Sequence, residues 1–179
     1  MLSLERVQLD HAMRFLESVA RSTKLHIPWV SPPSTLDAFR EFAEKQAGNR
    51  HISYLAVNKD SNLVGCINLN EIVRGPFQSA FLGFYVFAPL EGRGLMKQAL
   101  KLVIAEAFTS HGLHRLEANV QPANERSKRL VQSLGFRHEG NSPRYLNIGG
   151  QSRPRALCNH RGRMGRIMGA FVSNNNPIS

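Results

Sequence analysis

The sequence predicts a single α/β domain in which antiparallel hairpins precede a β-α-β crossover. Stretches with apolar residues at helical spacing alternate with short apolar runs rich in β-branched and aromatic residues, in the order α-α-β-β-β-α-β-α-β. No internal repeat or low-complexity linker divides the 179 residues, and a hydrophobic content of 42% is typical of one domain with a substantial core.

The first half of the chain holds two expected helices and three expected strands. Helical spacing predicts a helix over about 11–21, with Asp10 placed to cap it. After a proline-punctuated loop, a second helix is expected over about 35–47, capped by Ser34 or Thr35 and ended by the next glycine. The strands that follow are ISYLAVN, LVGCINLNEIV and FLGFYVFAP, the first two joined by the turn KDSN.

The second half begins with a glycine-rich turn that leads into a long amphipathic helix, which Gly112 ends. A strand, a helix beginning near Asn124 and further strand material follow, as HRLEANV, NERSKRLVQSLG and FRHEGNSPRYLNIGG. The long helix therefore connects two neighbouring parallel strands, which is the expected crossover.

The positive charge of the chain is concentrated near its C-terminal end. Lys and Arg number 23 against 13 Asp and Glu, a formal net charge of +10. No acidic residue follows Glu139, and residues 1–139 carry 17 basic and 13 acidic residues, a net charge of only +4. The arginines beyond that point are Arg144, Arg153, Arg155, Arg161, Arg163 and Arg166. The charge of the whole chain is therefore no argument for nucleic-acid binding by its body.

Composition predicts a cytoplasmic protein without a membrane partner. Cys66 and Cys158 form neither a CxxC pair nor a disulfide framework, which suits a reducing compartment. The start MLSLERVQLDHAMRF has early acidic residues and no apolar core of a signal peptide. The longest apolar runs, such as 63–69, are far shorter than the roughly 20 residues of a membrane span.

The strand, glycine turn and helix of residues 81–110 carry the strongest functional signal. A helix start exposes unpaired N–H groups and the positive end of the helix dipole, and glycines let the backbone approach an anion closely. The turn lacks the Lys-Ser/Thr of a P-loop and the second spacing of GxGxxG. On its own, GRG is also compatible with a plain tight turn.

The surrounding sequence resembles the GNAT acyltransferase superfamily, and more narrowly its ribosomal-protein-alanine N-acetyltransferase (RimJ/RimL) branch. The likeness spans roughly 2–150 and rests on FYVFAPLEGRGLMKQAL, on HRLEANVQPANERSKRLVQSLGF, and on RSTKLHIPWVSPP, which resembles the substrate-side segment of that branch. The superfamily's pyrophosphate loop, Q/R-x-x-G-x-G/A, falls on 91–96; its central glycine matches, whereas Glu91 and Met96 depart from the pattern, as they commonly do in this branch. The N-x-x-S that opens the next helix falls on 124–127.

The resemblance implies a GNAT fold, with a mixed, mostly antiparallel sheet and helices on both faces, and acetyl-CoA as co-substrate. Backbone N–H groups of 92–96 would hold the pyrophosphate, and pantetheine would lie along 85–87 as an added strand. Asn124 would orient the cofactor, and Arg93 either reaches a phosphate or is solvated. The implied cofactor-binding residues are Tyr85, Val86, Phe87, Glu91, Gly92, Arg93, Gly94, Leu95, Met96 and Asn124.

Two residues are the catalytic candidates that the resemblance implies. Glu117, on the strand beside the cofactor strand, would be the general base; the alternative is an outward-facing strand carboxylate. Ser127 would protonate the leaving CoA thiolate; the alternative is a helix cap. Trp29 either lines the acceptor pocket or packs under the first helix.

The expected reaction is acetyl transfer from acetyl-CoA to a primary amine, above all the N-terminal amine of a protein such as a ribosomal protein. An α-amine has a pKa near 7.7–8.0, so modest assistance by a base suffices. The alternatives are a polyamine or aminoglycoside acetyltransferase, which would need an acidic acceptor pocket, and an inactive CoA-binding or basic nucleic-acid-binding protein. The sequence leaves both a monomer and a dimer open.

Other reactive residue types carry less weight. Cys66 lies inside LVGCINL and is expected to be a small core residue. His111 and His114 flank a glycine turn without an acidic or cysteine companion, so we expect no metal.

The stretch QSRPRALCNHRGRMG, from 151 onward, departs from the family, which normally continues after SPRYLNIGG with a W-R-D-H-E-x-W-A-I-like strand and an acidic-x-Trp ending. A frame shifted by one nucleotide from the second base of Ser152 permits R-D-H-E-R-C-A-I-T-A-E-E-W. Its final Trp is forced, because the codons of Met164 and Gly165 contain TGG.

We therefore hypothesise a GNAT domain over 1–151 and a frameshift product over 152–179. Gene codons that are incompatible with the shifted string would contradict this. A basic nucleic-acid arm is the rival, although the arginines lack interleaved aromatic residues. Because the family's strand lies between two others, we expect the last strand to be lost or altered, with lower stability and an intact cofactor loop.

Overall fold

The computed structural model contains one seven-stranded mixed sheet with helices on both faces, as expected. It describes residues 2–148 and 151–161, and in 146–148, 151–157 and 159–161 the backbone alone. The strands are β1 (Ser3–Arg6), β2 (Ile52–Val57), β3 (Leu63–Val73), β4 (Ser79–Val86), β5 (Arg115–Val120), β6 (Arg137–Ile148) and β7 (Gln151–Arg161). The helices are α1 (Ala12–Arg21), α2 (Thr23–His26), α3 (Leu36–Glu44), α4 (Leu95–Thr109) and α5 (Glu125–Gln132).

The strand order is β1-β2-β3-β4-β5-β7-β6. Neighbouring strands are antiparallel except β4 and β5, which the α4 crossover connects in parallel. The sheet separates two buried clusters. One lies under α4 and α5 and includes Leu100 and Leu116, and the other lies under α1 and α3 and is built around Phe15 and Phe39, whose rings are 4.8 Å apart.

The structure shows which of the expected helix caps form. Thr35, rather than Ser34, caps α3, because its hydroxyl oxygen accepts a hydrogen bond from the N–H of Ala38 at 3.2 Å. Asp10 does not cap α1. It lies in a 3-10 turn, Leu9–His11, which precedes the helix.

The sequence analysis missed β1. This strand pairs with β2, with Leu4 opposite Ala56, and forms one edge of the sheet. It spans only four residues, so the alternation of apolar and polar residues that identifies a strand is too short to recognise.

The last strand was expected to be lost or altered, and the structure shows that it is not lost. The backbone of β7 lies between its neighbours, pairing through residues 156–161 with β5 and through residues 151–159 with β6. Pro154, which lacks an N–H, lies outside the part that pairs with β5. Ladder hydrogen bonds join backbone groups, so an unfamiliar sequence can still form them. The frameshift and the boundary after residue 151 remain predictions.

A polar cluster connects β2 to the end of α4. The hydroxyl of Tyr54 donates a hydrogen bond to Glu106 Oε1 at 2.7 Å and lies 2.8 Å from His111 Nε2. Burial lowers the pKa of His111 below its usual value; Glu106 opposes this, and Arg6 and Arg74 reinforce it. Neutral His111 is therefore the form that the folded protein favours.

We predict that acidification destabilises the protein through His111. Because its pKa is lower in the folded state, the unfolded chain binds more protons, and the contribution of His111 to stability is present above about pH 6.5 and lost as the pH falls further. Between pH 7.5 and 5.5 the melting temperature of His111→Gln should fall less than that of the wild type. The exposed His114 provides the control, and His114→Gln should keep the wild-type slope. Equal slopes for all three proteins would contradict the assignment.

Candidate functional site

The candidate site lies where β4 and β5 separate. The two strands pair only over Ser79–Phe81 and Arg115–Glu117. Beyond these residues β4 continues to Val86 and β5 to Val120, but the two strands no longer pair with each other. A cavity of about 850 Å³ opens between them. A cleft between diverging strands leaves backbone groups free for a ligand.

The backbone N–H and C=O groups of every second residue of β4 face this cleft. The N–H of Phe87 donates to Val64 O in β3 at 2.8 Å, so by alternation Tyr85 and Phe87 direct their backbone groups to β3. Leu82, Phe84 and Val86 direct theirs to the cleft. Of the predicted pantetheine-binding residues, Val86 therefore lies on the open edge, Tyr85 contributes to the cavity wall, and Phe87 belongs to the buried cluster under α1.

The glycine turn before α4 has the conformation that an anion site requires. Gly92 and Gly94 have φ angles of +77° and +73°, in the left-handed region that favours glycine. Gly94 is the N-cap of α4, and no side chain caps the helix, so its first N–H groups remain available. Gly92, Gly94, Leu95 and Met96 line the cavity together with Glu91, whereas Arg93 is exposed outside the cavity wall.

The N-terminus of α5 opens onto the same cavity. Asn124 caps this helix, because its Oδ1 accepts a hydrogen bond from the N–H of Ser127 at 3.1 Å. Both residues line the cavity. Arg126 reaches across to the glycine turn, and its Nη2 lies 3.6 Å from the position that a Cβ on Gly92 would occupy. Two helix N-termini and a guanidinium thus converge on one place.

The charges of the described cavity wall are confined to the ends of α4 and α5. The cations are Lys97, Arg126 and Arg129, and the carboxylates are Glu91 and Glu125. Glu125 pairs with Lys128 at 2.5 Å, and one carboxylate oxygen of Glu91 is buried without a hydrogen-bond partner in the described part of the chain. The rest of the described wall, from Leu25–Val30, β4 and β5, is apolar or neutral apart from a histidine.

The structure does not bring Glu117 to this cavity. Its Oε1 accepts a hydrogen bond from Arg115 Nε at 2.9 Å, and Arg115 also pairs with Glu139. Asn119, two residues further along the same face of β5, lies in the wall instead. The catalytic role of Glu117 remains a prediction.

Sequence reasoning missed several residues of the wall. The Nδ2 of Asn119 donates to the hydroxyl of Tyr145 at 3.4 Å, and its Oδ1 is buried without a partner among the side chains that the structure describes. The Nε2 of Gln121 donates to Trp29 O at 3.0 Å, which fixes the loop after α2 against β5. Trp29 lines the cavity, in agreement with one of its two expected positions. A period of two counted from Glu117 would have found Asn119.

Cys66 is a core residue, as expected. Its thiol is fully buried and donates to Asn68 Oδ1 at 3.3 Å, and burial raises its pKa to about 12. Among the described residues, no group of three or more His, Cys, Asp or Glu side chains is arranged so that it could hold a metal ion. Within the same part of the chain, no helix is both long and apolar enough to cross a membrane.

Comparison with known proteins identifies a family and several relatives. A profile of the acetyltransferase (GNAT) domain matches residues 2–137. The ribosomal protein uS5-alanine N-acetyltransferase of Escherichia coli is 37% identical over 98 residues, which cover 55% of this chain and 50% of that protein. The chain spans about half the length of curated relatives such as this one.

Solved structures share the fold. RimJ of Mycobacterium smegmatis in complex with CoA-disulfide has a TM-score of 0.80 at 24% identity, covering 89% of this chain and 81% of that one. Spermidine N-acetyltransferase of Vibrio cholerae, in complex with CoA and spermine, has a TM-score of 0.76 at 18% identity, covering 89% and 95%. At these identities the likeness shows the fold alone.

We predict that Gly94→Ala destabilises the protein through its backbone conformation. A Cβ at Gly94 would meet no atom within 4 Å, so the cost comes from its positive φ, about 1–2 kcal/mol or about 2–8 °C in melting temperature. Gly48→Ala is the matched control. Gly48 has a φ of −87°, and its Cβ would meet only Lys45 O at 3.8 Å, so the melting temperature should stay or rise slightly. Equal losses for both variants would contradict the argument.

Proposed function

The chain belongs to the GNAT acetyltransferase family, and we propose that it transfers the acetyl group of acetyl-CoA to the N-terminal amine of a protein, such as a ribosomal protein. The observation that carries the proposal is the cleft between β4 and β5, with two helix N-termini at one end and a neutral wall at the other. A cytoplasmic location is part of the same proposal, since the E. coli relative is named for a ribosomal protein.

The charged end of the cleft suits the phosphates of acetyl-CoA. Free N–H groups after Gly94 would bind the pyrophosphate, and the positive end of the α4 dipole favours an anion there. Lys97, Arg126 and Arg129 would add charge-assisted hydrogen bonds. The RimJ and spermidine acetyltransferase structures, which contain CoA, have the same fold.

The uncharged end supports an acceptor that arrives with little positive charge. Polyamines carry several charges and would require carboxylates, yet the carboxylates of the described wall lie in the turn before α4 and at the start of α5. No Asp or Glu follows Glu139 in the sequence, so no later side chain can add one. An α-amine with a pKa near 7.7–8.0 is partly neutral at physiological pH. A protein N-terminus therefore fits this end better than spermidine.

In the proposed reaction the neutral amine attacks the thioester carbon, and the bond to sulfur breaks. The nitrogen loses one proton, to solvent or to Glu117 if that residue acts through an intervening group. The CoA thiolate takes a proton from the hydroxyl of Ser127, which lines the cleft at the start of α5. Solvent then returns a proton to Ser127, so that protons balance over the cycle.

We predict acetyl transfer to a peptide with an N-terminal alanine at a kcat/KM at least about tenfold above that for spermidine.

We further predict that Ser127→Ala lowers kcat by about 100-fold, because the leaving thiolate loses its proton donor. The control is Ser133→Ala, at the other end of α5, where the hydroxyl donates to Leu130 O and should not affect kcat. A preference for spermidine would support the polyamine alternative, and an unaltered kcat in Ser127→Ala would remove that residue from the mechanism.

We also predict that Arg126→Ala raises the Kd for CoA about tenfold or more, with a smaller effect at high salt, because a charge-assisted contact to a phosphate is lost. Calorimetric titration with CoA measures this. Lys101→Ala removes an exposed cation of α4 outside the cavity wall and should leave the Kd unchanged. Equal effects of both substitutions would indicate a general charge effect rather than a phosphate contact.

A further inference from the structure

Three hydrogen bonds hold the corner between α1 and α2 against the end of β4. Arg21 Nε donates to Ala88 O at 2.8 Å, and the N–H of Ala88 donates to Ser22 Oγ at 2.9 Å. His26 Nε2 lies 2.8 Å from Val86 O. The first two bonds join groups beyond the strand, whereas the third uses a backbone carbonyl on the open edge of β4 itself.

The His26 ring is buried, with one nitrogen bonded and the other without a described partner. The residue is 4% exposed, and its ring lies 5.4 Å from that of Tyr85 and 6.0 Å from that of Phe87. A carbonyl oxygen can only accept, so Nε2 carries the hydrogen and Nδ1 of the neutral ring has a lone pair. Nδ1 is buried without a partner among the described residues. A buried polar atom left unsatisfied costs stability, so an apolar residue would serve the core better.

The carbonyl that His26 occupies decides where an added strand can pair. The open edge consists of Leu82, Phe84 and Val86. Once Val86 O is bonded to His26, the carbonyls that remain for a ligand in the cleft are those of Leu82 and Phe84. We propose that His26 is a positioning residue, which ends the open edge of β4 at Val86 and so sets the register in which the pantetheine arm of acyl-CoA pairs with that edge. The inference rests on the proposed function.

His26 also sets the opposite wall of the cleft. Its own carbonyl accepts hydrogen bonds from the N–H groups of Trp29, at 2.6 Å, and Val30, at 3.0 Å. Both residues line the cavity. His26 therefore contacts both the wall near which the acceptor would lie and the strand along which the thioester would lie. It would fix the position of the amine relative to the thioester.

Removing the contact should misplace the thioester rather than abolish binding. With Val86 O free, the arm can pair one ladder step further along β4, which is two residues or about 7 Å. The phosphates stay bound at the glycine turn, and the part of the arm between them and the ladder folds to take up the displacement, so the number of ladder bonds is kept. CoA should then bind with similar affinity, while the reacting carbon lies outside the reach of the amine, and kcat falls by about 100-fold.

The test compares two amides of different length at position 26. In His26→Gln, the side-chain N–H₂ lies about as far from the backbone as the imidazole Nε2 and can donate to Val86 O; in His26→Asn it is one methylene short. We expect His26→Gln to keep kcat within about threefold of the wild type. His26→Asn should lower kcat by about 100-fold, with a Kd for CoA within about threefold. His51→Asn, at a half-buried histidine outside the cavity, is the control and should change neither.

The possible results for His26→Asn and for CoA binding distinguish this inference from the proposed function. Unchanged activity in His26→Asn, or equal losses of activity and melting temperature in both amide variants, would show a merely structural role and overturn this inference alone. Loss of CoA binding together with kcat in His26→Asn would also overturn it, since the arm would then not have slipped. A wild-type protein that does not bind CoA would overturn the proposed function, and this inference with it.

Discussion

The separation of β4 from β5 is the constraint on which the rest of the site depends. Within a sheet each strand satisfies the backbone groups of its neighbours, and a strand that loses its neighbour exposes a row of donors and acceptors. Here pairing stops at Phe81 and Glu117, while both strands continue. The gap is lined on one side by a strand edge and closed at its rim by side chains such as Gln121, so it can accept a ligand that behaves like a strand.

The same separation explains how charge is distributed over the site. The helices that follow β4 and β5 both begin at the wide end of the gap, so their N-termini and first-turn cations meet there. The uncharged end is formed by the end of α2 and the loop after it, which Val86 and Gln121 bind on the α1 side of the sheet, and by neutral residues such as Asn119 and Trp29. One cleft therefore has an anion-binding end and an uncharged end, which is the arrangement needed to hold a phosphorylated donor while a neutral amine approaches it.

Much of this site could be predicted from sequence because its signals are local. The glycines of the turn at 92–94 and the Asn124 cap act through a few consecutive residues, and both lie where the motifs indicated. Asn119 and His26 depend on distant parts of the chain, since their positions follow from the point at which two strands diverge and from a helix corner packed on β4. Glu117 shows the limit of a strand pattern, which identifies the face of a residue but not the place where pairing ends.

The unexpected persistence of β7 follows from the same distinction between backbone and side chains. Its place in the sheet requires N–H and C=O groups at the paired positions, and residues 156–161, which pair with β5, include no proline. Cys158 is the one residue of this strand with a described side chain, and it is buried against the main core beside α5. A small apolar residue at one inward position preserves the core locally, even where the rest of the strand carries arginines. If the ending is a frameshift product, as we propose, it would retain the ladder. A restored frame would then change the side chains of the strand on either side of Cys158 rather than its backbone pairing.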